Sequence, residues 1–251
     1  MTSPILQHFI RRLIEKNYLT SNISYSLNYW QGDGMDFAGT IEGIDCTALA
    51  ERLLSGHVKA AAKRAIEKGA SIKITKIDHR YSHFNTMSVD TADPYYYELT
   101  EFEGNALDKL VGAVSEDIKT LSKELEREGY RIHEAGSEVW ALSDRTRTIK
   151  TKRFKVTIVE VEDEFFSLDE YGDEEAAELL DGFVSGAYRY FALKVTITGL
   201  ETGLEVGGSI VGPVIWCNTT PTNHYSGLTR EILSEAIEQA RVTIGSLQLA
   251  A

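Results

Sequence analysis

The loop Gln31-Gly32-Asp33-Gly34 is the first stretch whose residue types could bind a small ligand. Its backbone N–H groups could face a phosphate or a carboxylate, and Asp33 could contact a metal ion or the edge of a base. The loop lacks the Lys and Ser/Thr of a phosphate-binding P-loop, and it is not a GxGxxG sequence. The alternative interpretation is a hairpin turn in which Gly32 and Gly34 supply positive φ angles.

His79, Tyr81 and His83 form a second candidate site, because alternate residues of a strand point to one side. Neutral imidazole binds metals and titrates near neutral pH, so with Asp78, Asp90 or Asp33 these residues could form a metal or acid–base site. The Glu of an HExxH motif is missing, and a hydrogen-bonded pair of surface histidines is the simpler alternative. The sequence also contains no GxSxG nucleophile elbow. It therefore predicts no catalytic residue, no cofactor and no resident metal, and it favours a protein that is not an enzyme.

The acidic residues are concentrated in one segment. The net charge is −12, and eleven of the 38 Asp and Glu residues lie within residues 156–188, where there is no Lys or Arg. Aromatic residues interrupt these acids, which indicates apolar contacts surrounded by charge that could capture a basic partner. The predicted partner-binding residues are Glu160, Glu162, Asp163, Glu164, Phe165, Phe166, Asp169, Glu170 and Tyr171. The alternative is a solvated strand end and helix start, with Phe165 and Phe166 in the core.

A basic run precedes the acidic segment. Its residues are Arg145, Arg147, Lys150, Lys152, Arg153 and Lys155. They could contact phosphates, but the adjoining acids and the absence of an aromatic RNA-binding pattern argue against direct nucleic-acid binding. The expected state is a solvated linker with local ion pairs.

Hydrophobic periodicity predicts a mixed order of helices and strands. An amphipathic helix within residues 1–21 precedes strands at 22–30 and 35–42, a helix at 46–69 capped by Asp45, and strands at 71–77 and 84–91. A long helix capped by Asn105 ends before Gly129, and residues 131–153 form a connector. A strand at 154–161, a helix at 173–185, strands at 190–198 and 204–216 and a helix at 226–244 follow.

The predicted fold class is α+β, with antiparallel sheets and with helices packed on one sheet face, because hairpin connections favour antiparallel pairing. Residues 22–130 and 154–251 both show the order β–α–β–β–α in outline, so two similar halves are an alternative to a single core.

The length of 251 residues, of which 43% are hydrophobic, is enough to bury one large core or two small ones. The N-terminus lacks a signal-peptide pattern, and no apolar run reaches the roughly 18 residues that span a bilayer. We therefore expect a cytoplasmic protein without membrane contact. Cys46 and Cys217 lack CxxC spacing and are expected to be ordinary reduced thiols.

Residues 24–39 and 78–90 resemble a group of bacteriophage and prophage proteins to which no reaction is assigned. The shared features are a strand leading to QGDG and an aromatic residue, followed by a hairpin that contains His, Tyr and His. Residues 168–176, Leu-Asp-Glu-Tyr-Gly-Asp-Glu-Glu-Ala, are also similar to a segment of such proteins. The resemblance implies a viral origin and action in the cytoplasm of an infected bacterium, and it assigns no catalytic residue.

Three functions remain open from the sequence. The first is a phage-encoded binding protein that inhibits or redirects a host protein, such as a nucleic-acid-binding or defence protein, through its acidic surface. The second is a nucleotide- or metal-binding protein, a sponge or a hydrolase, that uses residues 31–34 with His79 and His83. The third is a virion or assembly component, for which homo-oligomerisation is the expected observation.

Overall fold

The computed structural model describes residues 3–77, 84, 86–92, 98–137, 146–219 and 226–249. The chain divides into two compact units. The N-terminal unit is Ile5–Tyr130, and the C-terminal unit is Met1–Pro4 with Arg131–Ala251. The fold is α+β with antiparallel sheets, which confirms the predicted class.

Helices and strands alternate along the described residues. The N-terminal part contains α1 (Pro4–Glu15), β1 (Ser24–Ser26), β2 (Gly34–Asp36), β3 (Gly39–Ile41), α2 (Gly43–Leu53), α3 (Gly56–Glu67), β4 (Ser71–Lys76), β5 (Met87–Ala92) and α4 (Glu101–Ser137). The remainder contains β6 (Arg147–Lys150), β7 (Phe154–Val161), α5 (Asp173–Ser185), β8 (Tyr188–Gly199), β9 (Glu205–Cys217) and α6 (Ser226–Leu249).

The N-terminal unit has one core. It combines α1 residues such as Phe9 and Leu13 with the alternate residues Ile72 and Ile74 of β4 and with the inner side of α4. The strands pair in the antiparallel order β3-β4-β5, and β1 with β2 forms a separate ribbon. Lys73, between the two buried isoleucines of β4, is exposed. Buried and exposed residues therefore alternate here, as expected for the strand predicted at 71–77.

Helix α4 is longer than the sequence predicted at both ends. It begins at Glu101, because Thr100 and Glu103 form a capping box. The backbone N–H of Glu103 donates to Thr100 Oγ1 at 3.3 Å, and the backbone N–H of Thr100 donates to Glu103 Oε2 at 2.8 Å. Asn105, the predicted cap, is instead an exposed residue inside the helix. The buried face of α4 contributes Leu107, Leu110, Val114, Ile118, Leu121 and Leu125 to the core, and Val111 is partly buried against it.

Gly129 does not end α4, contrary to the prediction. A Cβ atom at this position would lie 2.7 Å from Leu27 Cδ1 and 2.9 Å from Phe9 Cζ. Both neighbouring side chains are buried, so they have little room to move. Glycine is therefore explained here by close packing within the helix and not by a turn.

The predicted helix at 46–69 is two helices. Gly56 has a φ of +57°, which a continuous right-handed helix cannot contain, and α3 begins there. Helix α2 begins at Gly43, after Glu42 at the N-cap position, so Asp45 lies in the first turn and is not the cap.

The C-terminal unit contains a four-stranded antiparallel sheet with the order β6-β7-β8-β9. Residues 131–153, the predicted connector, include the last turns of α4 and the strand β6, which pairs with β7 from Arg147↔Ile158 to Lys150↔Lys155. The four residues of β6 are all exposed, so no alternation between buried and exposed residues marked this strand in the sequence. The other strands and the helices of this unit are close to their predicted bounds.

The two helices of this unit contact opposite faces of the sheet, where the sequence predicted one face. Phe191 points to the inner face, in a core with Ile232 and Ala236 of α6. Its neighbour Tyr190 points to the outer face, where it contacts Phe183 of α5 at 5.3 Å between ring centres. Helix α5 therefore covers one end of the outer face.

Both units contain the same order of elements with the same pairing. In the N-terminal unit β3 leads through α2 and α3 to β4, and β5 and α4 follow. In the C-terminal unit β7 leads through α5 to β8, and β9 and α6 follow. The first strand pairs antiparallel with the second, and the second with the third, in each case. The order β–α–β–β–α is thus present twice.

No helix among the described residues is both long enough and apolar enough to cross a membrane.

Two glycines of α4 provide a test of the packing. Gly112 is exposed, and a Cβ there would meet no atom within 4 Å. We expect Gly112→Ala to stabilise the protein by about 0.5–1 kcal/mol, because alanine favours the helix. We expect Gly129→Ala to destabilise it by about 1–3 kcal/mol, because overpacking outweighs that gain. Urea denaturation of both variants measures the difference, and equal effects would contradict the close packing at Gly129.

Candidate functional site

The carboxylate of Asp33 lies inside the loop that the sequence singled out. The side chain is only 8% exposed, and its Oδ1 accepts a hydrogen bond from Ser26 Oγ at 2.7 Å. Its Oδ2 accepts from the backbone N–H groups of Asn28 at 2.8 Å and Trp30 at 2.9 Å. The hydroxyl of Tyr130, on α4, also donates to Oδ2. The loop is therefore folded around this one carboxylate.

These contacts keep Asp33 ionised. Burial raises the pKa of the carboxyl, but the hydrogen bonds to its charged form have the larger combined effect and lower the pKa to about 2. The same arrangement raises the pKa of Tyr130 to about 12, through burial and the bond to Asp33. Tyr130 was missed by the sequence analysis, because nothing in a single sequence relates it to a loop 97 residues earlier.

The remaining loop residues have different environments. Gly32 and Gly34 have positive φ angles, +101° and +147°, as a turn requires. Gln31 is exposed, and the side chain of Trp30 is 77% exposed. His79, Tyr81 and His83 lie outside the described residues, so their predicted approach to the loop stays a prediction. Within the part of the chain that the structure describes, no group of three His, Cys, Asp or Glu residues could hold a metal ion.

The first residue of the predicted acidic surface, Glu160, is buried. It is 7% exposed, and its carboxylate lies 3.4 Å from the guanidinium of Arg189 on the neighbouring strand β8. Arg189 in turn lies over the rings of Trp216 and Phe191, with 4.5 Å and 5.1 Å to the ring centres. Glu160 belongs to this buried arrangement of the sheet and is not an exposed contact, which corrects the prediction for this residue.

Phe166 is also a core residue. It is 8% exposed, and its ring stacks on Tyr190 with 4.0 Å between the ring centres. Phe183 of α5 packs edge-on against it at 5.9 Å. Leu168 is 2% exposed, and Tyr171 is half-buried. The prediction that Phe166 is an exposed contact is therefore corrected, because its ring fills the space between α5 and β8.

Phe165 has the opposite environment. It lies in the connection between β7 and α5, residues 162–172, which we call the acidic loop. Its side chain is 80% exposed, and its backbone N–H donates to Asp163 Oδ1 at 3.1 Å, which fixes a local turn. The acids of the loop lie around it: Glu162, Asp163, Glu164, Asp169 and Glu170, of which only Asp163 is partly buried. The buried side chains of Phe166 and Leu168 thus anchor the acidic loop, and the ring of Phe165 is exposed beside its carboxylates.

Comparison of the chain with protein families, with curated proteins and with solved structures finds no match.

Asp33 provides a prediction with a defined pH dependence. We expect Asp33→Asn to destabilise the protein by about 1.5–3 kcal/mol near pH 7, because hydrogen bonds to a charged acceptor are lost. The folded-state pKa is lowered from 3.8 to about 2, so the contribution is present above the unfolded value and is lost as pH falls through this range. Denaturation from pH 7 down to about pH 2 measures both proteins. The difference between them should narrow on acidification, and a constant difference would contradict the role of the charge.

Phe165 and Phe166 are a matched pair for stability. We expect Phe166→Ala to cost about 3–5 kcal/mol, as for other buried aromatic residues. We expect Phe165→Ala to change the free energy of unfolding by no more than about 0.5 kcal/mol, because the side chain is exposed. Thermal and urea denaturation measure both, and a large cost at Phe165 would show that its ring has a packing role.

Proposed function

We propose that this chain is a binding protein whose acidic loop contacts a basic surface of another protein. The observation that carries the proposal is the exposure of Phe165, the fourth residue of the acidic loop, whose side chain is 80% exposed next to Asp163 and Glu164. Exposed single aromatic residues are common on surfaces, but this one is held by ordered neighbours and surrounded by charge. That combination is typical of the central contact of a protein interface.

The order of the loop supports the proposal energetically. Phe166 and Leu168 are buried on either side of Ser167, so the backbone of the loop is fixed before a partner arrives. A contact residue on a preorganised loop loses less conformational entropy on binding than one on a free chain. Phe165 can therefore contribute most of its burial energy to affinity.

The charges support a basic partner. Among the residues described, no Lys or Arg lies within ion-pair distance of Glu162, Asp163 or Glu164. The first turn of α5 adds the exposed Asp173, Glu174 and Glu175. Unneutralised carboxylates at an interface increase the rate of encounter with a positive surface and select against negative ones.

The resemblance to bacteriophage proteins suggests where the protein acts and which proteins it binds. A phage protein of this kind would act in the host cytoplasm on a host protein with a basic, apolar-centred site. Host proteins that bind nucleic acids, including defence proteins, have such positive surfaces. Inhibition by occupying that surface is the action we propose.

Capture from bacterial lysate tests the proposal. Immobilised protein should retain a host protein at about 50 mM salt and release it at about 500 mM, because salt screens interactions between exposed charges. Phe165→Ala, which is predicted to fold normally, should lose that protein at the lower salt concentration.

Variants that replace Glu by Gln distinguish binding through the acidic loop from a general attraction to the negative charge of the protein. Glu162→Gln with Glu164→Gln should weaken retention, whereas Glu231→Gln with Glu238→Gln, two exposed acids of α6, should leave it unchanged. Retention of the same proteins by all variants would contradict a role for the acidic loop. Retention of no host protein at low salt would contradict the proposed function.

A further inference from the structure

Within the described part of the C-terminal unit, no helix covers the end of the outer sheet face that α5 leaves. Alternation along the strands and their register bring together residues of four strands on this face. They are Thr148 and Lys150 of β6, Lys155, Thr157 and Val159 of β7, Lys194, Thr196 and Thr198 of β8, and Glu205, Gly208 and Ile210 of β9, which give the face three lysines and one carboxylate. All of them are exposed or half-buried. We call this surface the basic face.

The lysines of the basic face are not neutralised. No carboxylate in the described part of the chain lies within ion-pair distance of Lys150, Lys155 or Lys194. The same holds for Arg147, Lys152 and Arg153 in and beside the β6–β7 hairpin. The expected local ion pairs are therefore absent from the described part of the basic run, residues 147–155, and Arg145 lies outside the described residues.

Lys150 and Lys155 are placed directly opposite each other. They are cross-strand partners in β6 and β7, so their Cβ atoms are about 5 Å apart. Two side chains of like charge therefore start from neighbouring positions on the same face. Such a pair is destabilising by itself. An anion held between the two ammonium groups would remove that repulsion, so the pair is better suited to a bound anion than to solvent.

We propose that the basic face binds the phosphate backbone of a single-stranded nucleic acid without sequence preference. Lys155 pairs with Thr198 of β8, and Lys194 lies four residues before Thr198 on the same strand. Lys194 is therefore about 14 Å from Lys155. The lysines therefore cover the length of about two nucleotides of an extended strand. Thr157, Thr196 and Thr198 add hydroxyl groups between them, and Lys and Thr are side chains that contact phosphate oxygens.

The composition of the face favours phosphates over an acidic protein. Protein interfaces are enriched in aromatic residues and Arg at the centre and depleted in Lys. The basic face has no aromatic residue among those listed above, and its centre is formed by Thr157 and Thr196. A strand bound here would find no ring on these residues to stack on, so its contacts would be with the backbone alone.

The acidic loop does not occupy the same place. Lys155 is near the start of β7 and Glu162 follows its end, so about 23 Å of strand separates these two residues, whereas Lys194, opposite Val159, lies nearer to the acidic loop. Repulsion between the acidic loop and a bound strand is largely screened beyond about 8–10 Å at physiological salt. The net charge of −12 is therefore compatible with anion binding at the opposite end of the sheet.

Fluorescence anisotropy with a labelled oligothymidylate of about 20 nucleotides tests the proposal. The probe has phosphates and little secondary structure, which isolates backbone binding. We expect saturable binding at about 50 mM salt, with an affinity that falls about 20-fold by about 200 mM if three phosphates are neutralised. K155E/K194E should reduce the affinity by about tenfold or more and lower the salt dependence.

K109E/K123E is the matched control, since both lysines are exposed on α4 and the change in net charge is equal. It should leave binding within about twofold of the original, and thermal denaturation should show that both variants fold. Equal losses in the two variants, or no binding at about 50 mM salt, would overturn the proposal. Salt-sensitive self-association that K155E/K194E abolishes, without oligonucleotide binding, would instead assign the face to a second copy and would also overturn it.

Discussion

The buried carboxylate of Asp33 is the polar constraint on which the first ribbon of the N-terminal unit depends. A carboxylate that leaves water must have its charge compensated by hydrogen bonds, or its ionised form becomes unfavourable. Backbone groups of Asn28 and Trp30 can reach it only when residues 27–33 curl into a tight turn. The bond from Tyr130 then ties that turn to α4. The loop that looked most like a ligand site thus has a conformational role for its central residue.

Charge in the C-terminal unit is separated along one strand. The basic residues precede or begin β7, and the acids follow its end, so the sheet keeps them apart where a flexible linker would have let them pair. Pairing would have reduced the electrostatic energy of the isolated protein. Among the described residues, Lys150, Lys155 and Lys194 form no ion pair with Glu162, Asp163 or Glu164, so both groups keep their charge. Both of the interactions proposed above should be sensitive to ionic strength, but they should respond to different substitutions.

The sequence predicted the bounds of helices and strands well where the spacing of apolar residues indicated which side is buried. β7 and α5 have their predicted bounds because one alternates in period two and the other begins with acids and ends before a glycine. Gly129 was misassigned because a helix-ending glycine and a close-packed one look identical without the neighbouring helix. The capping box of Thr100 and Glu103 was readable from the sequence but was overlooked in favour of Asn105.

The residues of the candidate sites could be predicted less well from the sequence than the helices and strands. Phe165 and Phe166 are adjacent in a loop, where no periodicity indicates which side chain is buried, so the sequence could not separate them. The contacts of Phe166 with Tyr190 and Phe183 distinguish the two residues. Likewise, Lys194 is 39 residues from Lys155 in the chain, and the register of β7 and β8 is what places both on one face. Sites that depend on pairing between distant strands follow from tertiary structure.

The repeated order of elements shows where the C-terminal unit has been elaborated. In the N-terminal unit a single residue, Glu42, separates β3 from α2. In the C-terminal unit the eleven residues 162–172 separate β7 from α5, and β6 is added beside β7. The shared β–α–β–β–α order forms a sheet without either addition, since β3, β4 and β5 do so. The acidic loop and β6 are therefore additions that the shared topology does not require, and each contributes to one of the two proposed surfaces.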